Sequence, residues 1–107
     1  MAFKGTIPKG SRVEAELAVD QGASGSALLS IAFVDNAGGQ GAESRTVAGG
    51  AADTVEVQTN PGPTGILRVV VDFGSESDRG HLTVQVDGEV RNDESIAGDT
   101  TWSYSLQ

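Results

Sequence analysis

A chain of 107 residues carrying fifteen acidic against seven basic side chains, net charge minus eight, fits a single domain over residues 1–107 and would repel a polyphosphate backbone, which excludes nucleic acid as an expected partner. The absence of cysteine excludes disulfides, thiolate zinc sites and cysteine nucleophiles. No apolar run is long enough to span a bilayer and no apolar leader core follows Met1, so the chain reads as soluble, without membrane insertion or an export signal, or else as a domain of a secreted parent.

Residues 3–7 read as a short strand that ends at the turn Pro8-Lys9-Gly10. In residues 11–20, Val13, Ala15, Leu17 and Val19 alternate with Arg12, Glu14, Glu16 and Asp20; spacing two, not three or four, predicts a half-buried strand. After the loop Gln21-Gly22-Ala23-Ser24-Gly25, residues 27–34 are apolar on both faces. Leu29, Ile31 and Phe33 share one, and Leu28, Ala32 and Val34 the other, as expected of a strand covered on both sides or lying centrally in its sheet.

Residues 35–41 are rich in Gly and Asn, residues 42–47 support only a short, weak strand, and residues 48–52 form a Gly/Ala-rich connection. Residues 53–59 alternate through Val55 and Val57 before Asn60-Pro61-Gly62-Pro63 forces a turn. The strongest β signals are residues 66–73, with Leu67, Val69, Val71 and Phe73, and residues 81–88, with Leu82, Val84 and Val86. Joined by the polar loop 74–80, they predict a hairpin. A polar segment, 89–99, leads to residues 100–107, where Trp102, Tyr104 and Leu106 share one side.

Seven to eight strands without a helix predict an all-β, antiparallel two-sheet β-sandwich, jelly-roll or immunoglobulin-like. Alternation alone does not choose between the two, and there is no Cys-Trp-Cys signature. No fixed repeat period marks a propeller or solenoid.

The only histidine, His81, starts a strand beside a loop that holds Ser75, Ser77 and Asp78, the partners any Ser-His-Asp triad would draw on. No nucleophile elbow is present, so His81 reads as an exposed strand residue and the chain as no enzyme. Gly38-Gly39-Gln40-Gly41 and Gly49-Gly50 lack the Lys-Ser/Thr of a phosphate loop and read as turns. Carboxylates cluster around Glu76 and Asp78, around Asp35-Asn36, and through Asn92, Asp93, Glu94 and Asp99. Calcium takes six to eight oxygens, which such loops supply; solvated turn acids are the competing account, and no EF-hand spacing occurs. Trp102 would offer a pyranose a flat face if its strand pointed outward, whereas its spacing with Tyr104 and Leu106 is that of a core face.

Residues 3–10, Arg12-Val13, Gly65-Ile66-Leu67-Arg68-Val69-Val70-Val71 and Tyr104-Ser105-Leu106 resemble the bacterial pre-peptidase C-terminal domain, a jelly-roll module that accompanies secreted enzymes. The run Phe33-Val34-Asp35-Asn36 before Gly/Asn loops is similar, more distantly, to the calcium-dependent bacterial lectins. That likeness implies calcium at Asn92, Asp93, Glu94 and Asp99, although Ser95-Ile96-Ala97-Gly98 interrupts the acidic run and the chain ends in Leu106-Gln107, not the family's terminal glycine.

The sequence thus points to a non-catalytic module that binds carbohydrate through loops at one end of the sandwich, with Asp35, Asn36, Glu76, Asp78, His81 and Trp102 as candidate contacts. The alternative is a structural or assembly protein that forms a homo-oligomer through sheet edges or faces.

Overall fold

In a computed structural model, which describes residues 2–22 and 25–107, every regular element is a strand. Met1, and Ala23 and Ser24 of the loop expected at 21–25, lie outside the described residues. Nine strands follow one another: β1 (Ala2–Ile7), β2 (Arg12–Val19), β3 (Ala27–Asp35), β4 (Gln40–Val47), β5 (Ala52–Gln58), β6 (Gly65–Asp72), β7 (Arg79–Val86), β8 (Glu89–Ala97) and β9 (Thr100–Leu106). Among the described residues no helix is long and apolar enough to cross a membrane.

Two sheets form the sandwich: a five-stranded one in the order β1-β9-β6-β3-β4 and a four-stranded one in the order β5-β2-β7-β8. All neighbours are antiparallel except β1 and β9, which run parallel. The pairing of β2 with β5 in one sheet, and of β4, β3, β6 and β9 in succession in the other, is the immunoglobulin-like order; the β7–β8 pair is added on the far side of β2.

Period-two alternation produces the core directly. Val13, Ala15 and Leu17 of β2 and Leu82 and Val84 of β7 face Leu29, Ile31, Leu67, Val69 and Tyr104 of the other sheet, all fully buried. Burial of these branched side chains is the main favourable term, about 25 cal/mol per Å² of apolar surface removed from water.

Three expectations are corrected. Residues 66–73 and 81–88 do not form a hairpin: β6 lies between β9 and β3, and β7 lies in the opposite sheet between β2 and β8. Alternation reports which face of a strand is buried, not which strand it pairs with. Phe73, buried at the end of β6, plugs the sandwich where the chain crosses between sheets, and Gly80 makes room for it, since a Cβ there would sit 3.2 Å from its ring and 2.7 Å from the Ala18 carbonyl.

The polar segment 89–99 is largely strand β8. As an edge strand it buries only Ile96, so no apolar alternation marks it. Its partner in a true hairpin is β7, joined to it by Asp87-Gly88, both at positive φ (50° and 84°) as a type I′ turn requires. Strand β8 brings the count to nine, and β4, lastly, runs for eight residues, longer than the weak strand expected at 42–47.

Candidate functional site

The loops gather at two ends. At one end, Asp35 closes β3 and is 6% exposed. Its Oδ1 accepts hydrogen bonds from the Ala37 and Gly39 amides at 3.0 and 2.7 Å, and its Oδ2 accepts one from Asn60 Nδ2 at 2.8 Å. The Asn60 bond is the main reason the Asp35 carboxyl titrates below its ordinary 3.8; desolvation opposes the shift, and the Gly39 and Ala37 amides add to it. Asp35 thus ties the β3–β4 turn to the β5–β6 loop and leaves little of its carboxylate for a ligand. A Cβ on Gly39 would overlap Asp35 Oδ2 and the Asn60 amide. Asn36 stands at the rim, its amide donating to Thr64 Oγ1 at 2.5 Å and its backbone N–H to the Thr64 carbonyl at 2.8 Å.

From this rim a shallow groove of about 400 Å³ runs onto the outer face of the five-stranded sheet, over Val34, Ile66, Arg68 and Val70. The face around it is unusual. Ladder register places Phe3 beside Ser103, Arg68 between Ser103 and Ala32, Ile66 beside Val34, and Val70 between Thr101 and Ser30. Phe3 is 67% exposed, Val34 60% and Ile66 49%, and Leu28 and Val70 also face solvent. Across all five strands the outward positions carry only two charged residues, Arg68 and Asp72. The outer face of the four-stranded sheet is the opposite, with Arg12, Glu14, Glu16, Glu56, Arg79 and Asp93 turned to water. An ordinary wet face thus backs onto a nearly neutral one with five exposed large apolar side chains.

The remaining candidates are dispersed. Glu76 and Asp78 lie at the far end, where Glu76 is exposed and Asp78 is 5% exposed, its carbonyl accepting the Gly98 amide at 2.9 Å. His81 is on the outer face of the four-stranded sheet, with Nε2 against Asp93 Oδ1 and Nδ1 at 3.5 Å from Ser95 Oγ. The His81 contact comes first among the causes that hold Asp93 below the ordinary 3.8; desolvation opposes it, and the charge of His81 and the Thr83 hydroxyl add to it. Asp93, His81 and Ser95 therefore stand in triad order, while Ser75, Ser77 and Asp78, the partners considered from sequence, lie in the loop before β7. The Ser95 contact is at the limit of hydrogen bonding, and all three side chains lie on the outer flank of a ladder in water, so they act as cross-strand polar pairs.

Trp102 is 3% exposed on the inner face of β9, with Lys4 Nζ 4.7 Å from its ring centre, so it offers no flat face to a sugar. The four residues expected to hold calcium each have a different partner. Asn92 Oδ1 accepts from the Tyr104 hydroxyl at 2.7 Å, Asp93 meets His81, Glu94 pairs with Lys4 at 2.8 Å, and Asp99 Oδ1 accepts from the Phe73 amide at 2.9 Å. Alternation along a strand turns adjacent side chains to opposite faces, which is why Asn92 and Asp93 cannot share an ion. Among the described residues no three His, Cys, Asp or Glu side chains come together to hold a metal.

Sequence reasoning missed the neutral face. Its signal was present in Leu28, Ala32 and Val34, which alternate opposite a complete core set, and again in Ile66 and Val70 on the neighbouring strand. Comparison with protein-family models, with curated proteins and with solved structures returns no match.

Proposed function

We propose that this chain is a non-catalytic binding module whose working surface is the outer face of the five-stranded sheet, and that the face docks onto another protein surface. One observation carries the reading: five exposed large apolar side chains share a face with only two charges, in a chain whose net charge is minus eight. Solvated sheet faces carry the alternating charges that the other sheet displays, and docking faces lack them. The free edge strand β8 is guarded by Glu89, Arg91, Asp93 and Glu94, which disfavours association through that edge.

A second reading, carbohydrate binding, is favoured by the groove at the loop end of the same face. There Asn36 and Arg68 supply planar polar groups over the apolar floor of Val34 and Ile66.

Amide shifts of the isotope-labelled chain test both, measured on dilution and on addition of any ligand found on a glycan array. Changes confined to residues 28–34, 66–72 and 101–105 support the face. Changes centred on the outer face of the four-stranded sheet, or on the far-end loop 73–78, overturn it.

A further inference from the structure

The two charges on the neutral face are placed as a self-complementary pair. Arg68 and Asp72 sit on one side of β6, four residues and about 13 Å apart, with Val70 midway between them. Arg68 makes no ion pair or side-chain hydrogen bond with any described residue, although five of the chain's seven cations do. Among the described residues Asp72 accepts only the Gly74 amide, at 3.0 Å.

We propose that the occupant of this face is a second copy of the same chain, docked sheet on sheet about a two-fold axis over Val70, so that Arg68 of each copy pairs with the partner's Asp72. The inference rests on the docking-face reading above and names its partner.

Symmetry makes the geometry specific. A two-fold axis lying between the sheets, across β6 at Val70, carries each position on the strand to the equal distance on the other side of the axis. Arg68 then faces the partner's Asp72, and the register of β3 brings Leu28 opposite the partner's Ala32. An axis over Arg68 would bring two guanidinium groups together, and one over Asp72 two carboxylates. Along the chosen axis the row is Ser44, Ser30, Val70 and Thr101, small side chains that let two sheets approach to the usual ~10 Å. An arginine side chain reaches across that gap and absorbs the lateral offset from the ~30° crossing of aligned sheets.

Charge favours a like partner. Two copies at net charge minus eight repel wherever their acidic surfaces meet, and this face, with one positive and one negative group, is where that repulsion is least. About this axis the strands of the two copies overlap over residues 27–33, 41–47, 68–72 and 100–102, which presents about 350 Å² per copy and about 700 Å² in all, the area of a weak, transient pair.

Sedimentation equilibrium of the full chain from millimolar to micromolar concentration provides the test. The expected result is a species of twice the 10.9 kDa chain mass that dissociates on dilution. Arg68→Asp and Asp72→Arg should each weaken the dimer about tenfold or more, and the double variant should recover most of the loss, because the swap restores opposite charges across the axis. Val70→Lys should give a monomer with an unchanged circular dichroism spectrum, which separates dissociation from misfolding.

A wild-type chain that is monomeric at every concentration, or a dimer indifferent to all three charge variants, overturns the proposal. If the monomer's amide shifts on ligand addition still map to residues 28–34 and 66–72, self-pairing alone fails and the docking face stands. A dimer whose dilution shifts map to the four-stranded sheet removes both.

Discussion

Lys4 and Arg91 are each the extra residue of a β-bulge, and the two bulges face one another across the side of the sandwich where β1 lies over β8. Register skips Lys4 between Phe3 and Gly5 in the β1–β9 ladder, and skips Arg91 between Val90 and Asn92 in the β7–β8 ladder. Each bulge turns a cation towards the other sheet: Lys4 pairs with Glu94 at 2.8 Å, and Arg91 donates to the Thr6 carbonyl at 2.5 Å. Arg91→Ala should therefore loosen β1. We expect a loss of about 1 kcal/mol in urea unfolding and faster amide exchange confined to residues 3–7. Lys4→Ala should cost less, because its ion pair is partly exposed. Unchanged exchange in β1 after Arg91→Ala would count against the bulge as a clasp.

Asp35 should make the loop end sensitive to acid. A carboxyl whose folded pKa is depressed contributes stability that is present above its unfolded value, close to 3.8, and lost as pH falls through the lower folded value. Wild-type protein should lose stability steeply below pH 3.8, and Asp35→Asn should flatten that part of the curve while lowering stability at pH 7. Thermal unfolding at a series of pH values measures both effects, and an unchanged acid limb in the variant would show that other carboxylates dominate.

Gly39→Ala tests the same knot by steric means. The added methyl would overlap the Asp35 carboxylate and the Asn60 amide. Overpacking of this kind costs about 1–3 kcal/mol, so the unfolding midpoint should fall without loss of the β spectrum. A neutral Gly39→Ala would mean that the turn relaxes freely and that Asp35 does not hold the two loops together.

Tyr104 offers an optical test, since it is the single tyrosine of the chain. It is fully buried, and its hydroxyl donates to Asn92 Oδ1 across the sandwich. Burial raises the phenol well above its ordinary 10.0, against the opposing influence of Arg91. A group whose folded pKa is raised stabilises the fold fully below its unfolded value and loses that contribution as pH rises beyond it. Phenolate absorbance should thus appear only as the near-ultraviolet dichroism of Trp102 collapses. A separate phenolate step near pH 10 in intact protein would overturn the buried placement. Tyr104→Phe should cost about 1 kcal/mol in urea unfolding through the lost hydrogen bond.

Strand identity was legible wherever one face is buried. Leu67 to Phe73 and Leu82 to Val86 were read correctly as strands, because burying one face of a strand requires period two. Their partners were not legible, because the pattern that gives Leu67 a buried face is satisfied by either sheet. Strand β8 was hidden by its exposure: an edge strand with Ile96 as its one buried side chain carries charges where apolar residues would otherwise mark it. The readable sign was Asp87-Gly88, the dipeptide of a two-residue hairpin turn. For the site, the acidic run Asn92-Asp93-Glu94 misled because composition was weighed without strand direction. The neutral face lay in plain view as Leu28, Val34, Ile66 and Val70, but only the observed register of β3 against β6 joins them into one surface.

The parallel pairing of β1 with β9 sets the timetable of assembly. Its ladder joins Ala2 to Trp102 and Ile7 to Leu106, so the first strand of the fold pairs with its ninth. Contacts so distant along the chain raise contact order and slow folding, since loop-closure entropy must be met before the ladder rewards it. Until β9 emerges, Phe3 to Ile7 have no strand to join, and β6 presents an open flank where β9 will lie. That interval exposes the nascent chain to mispairing at the β6 flank.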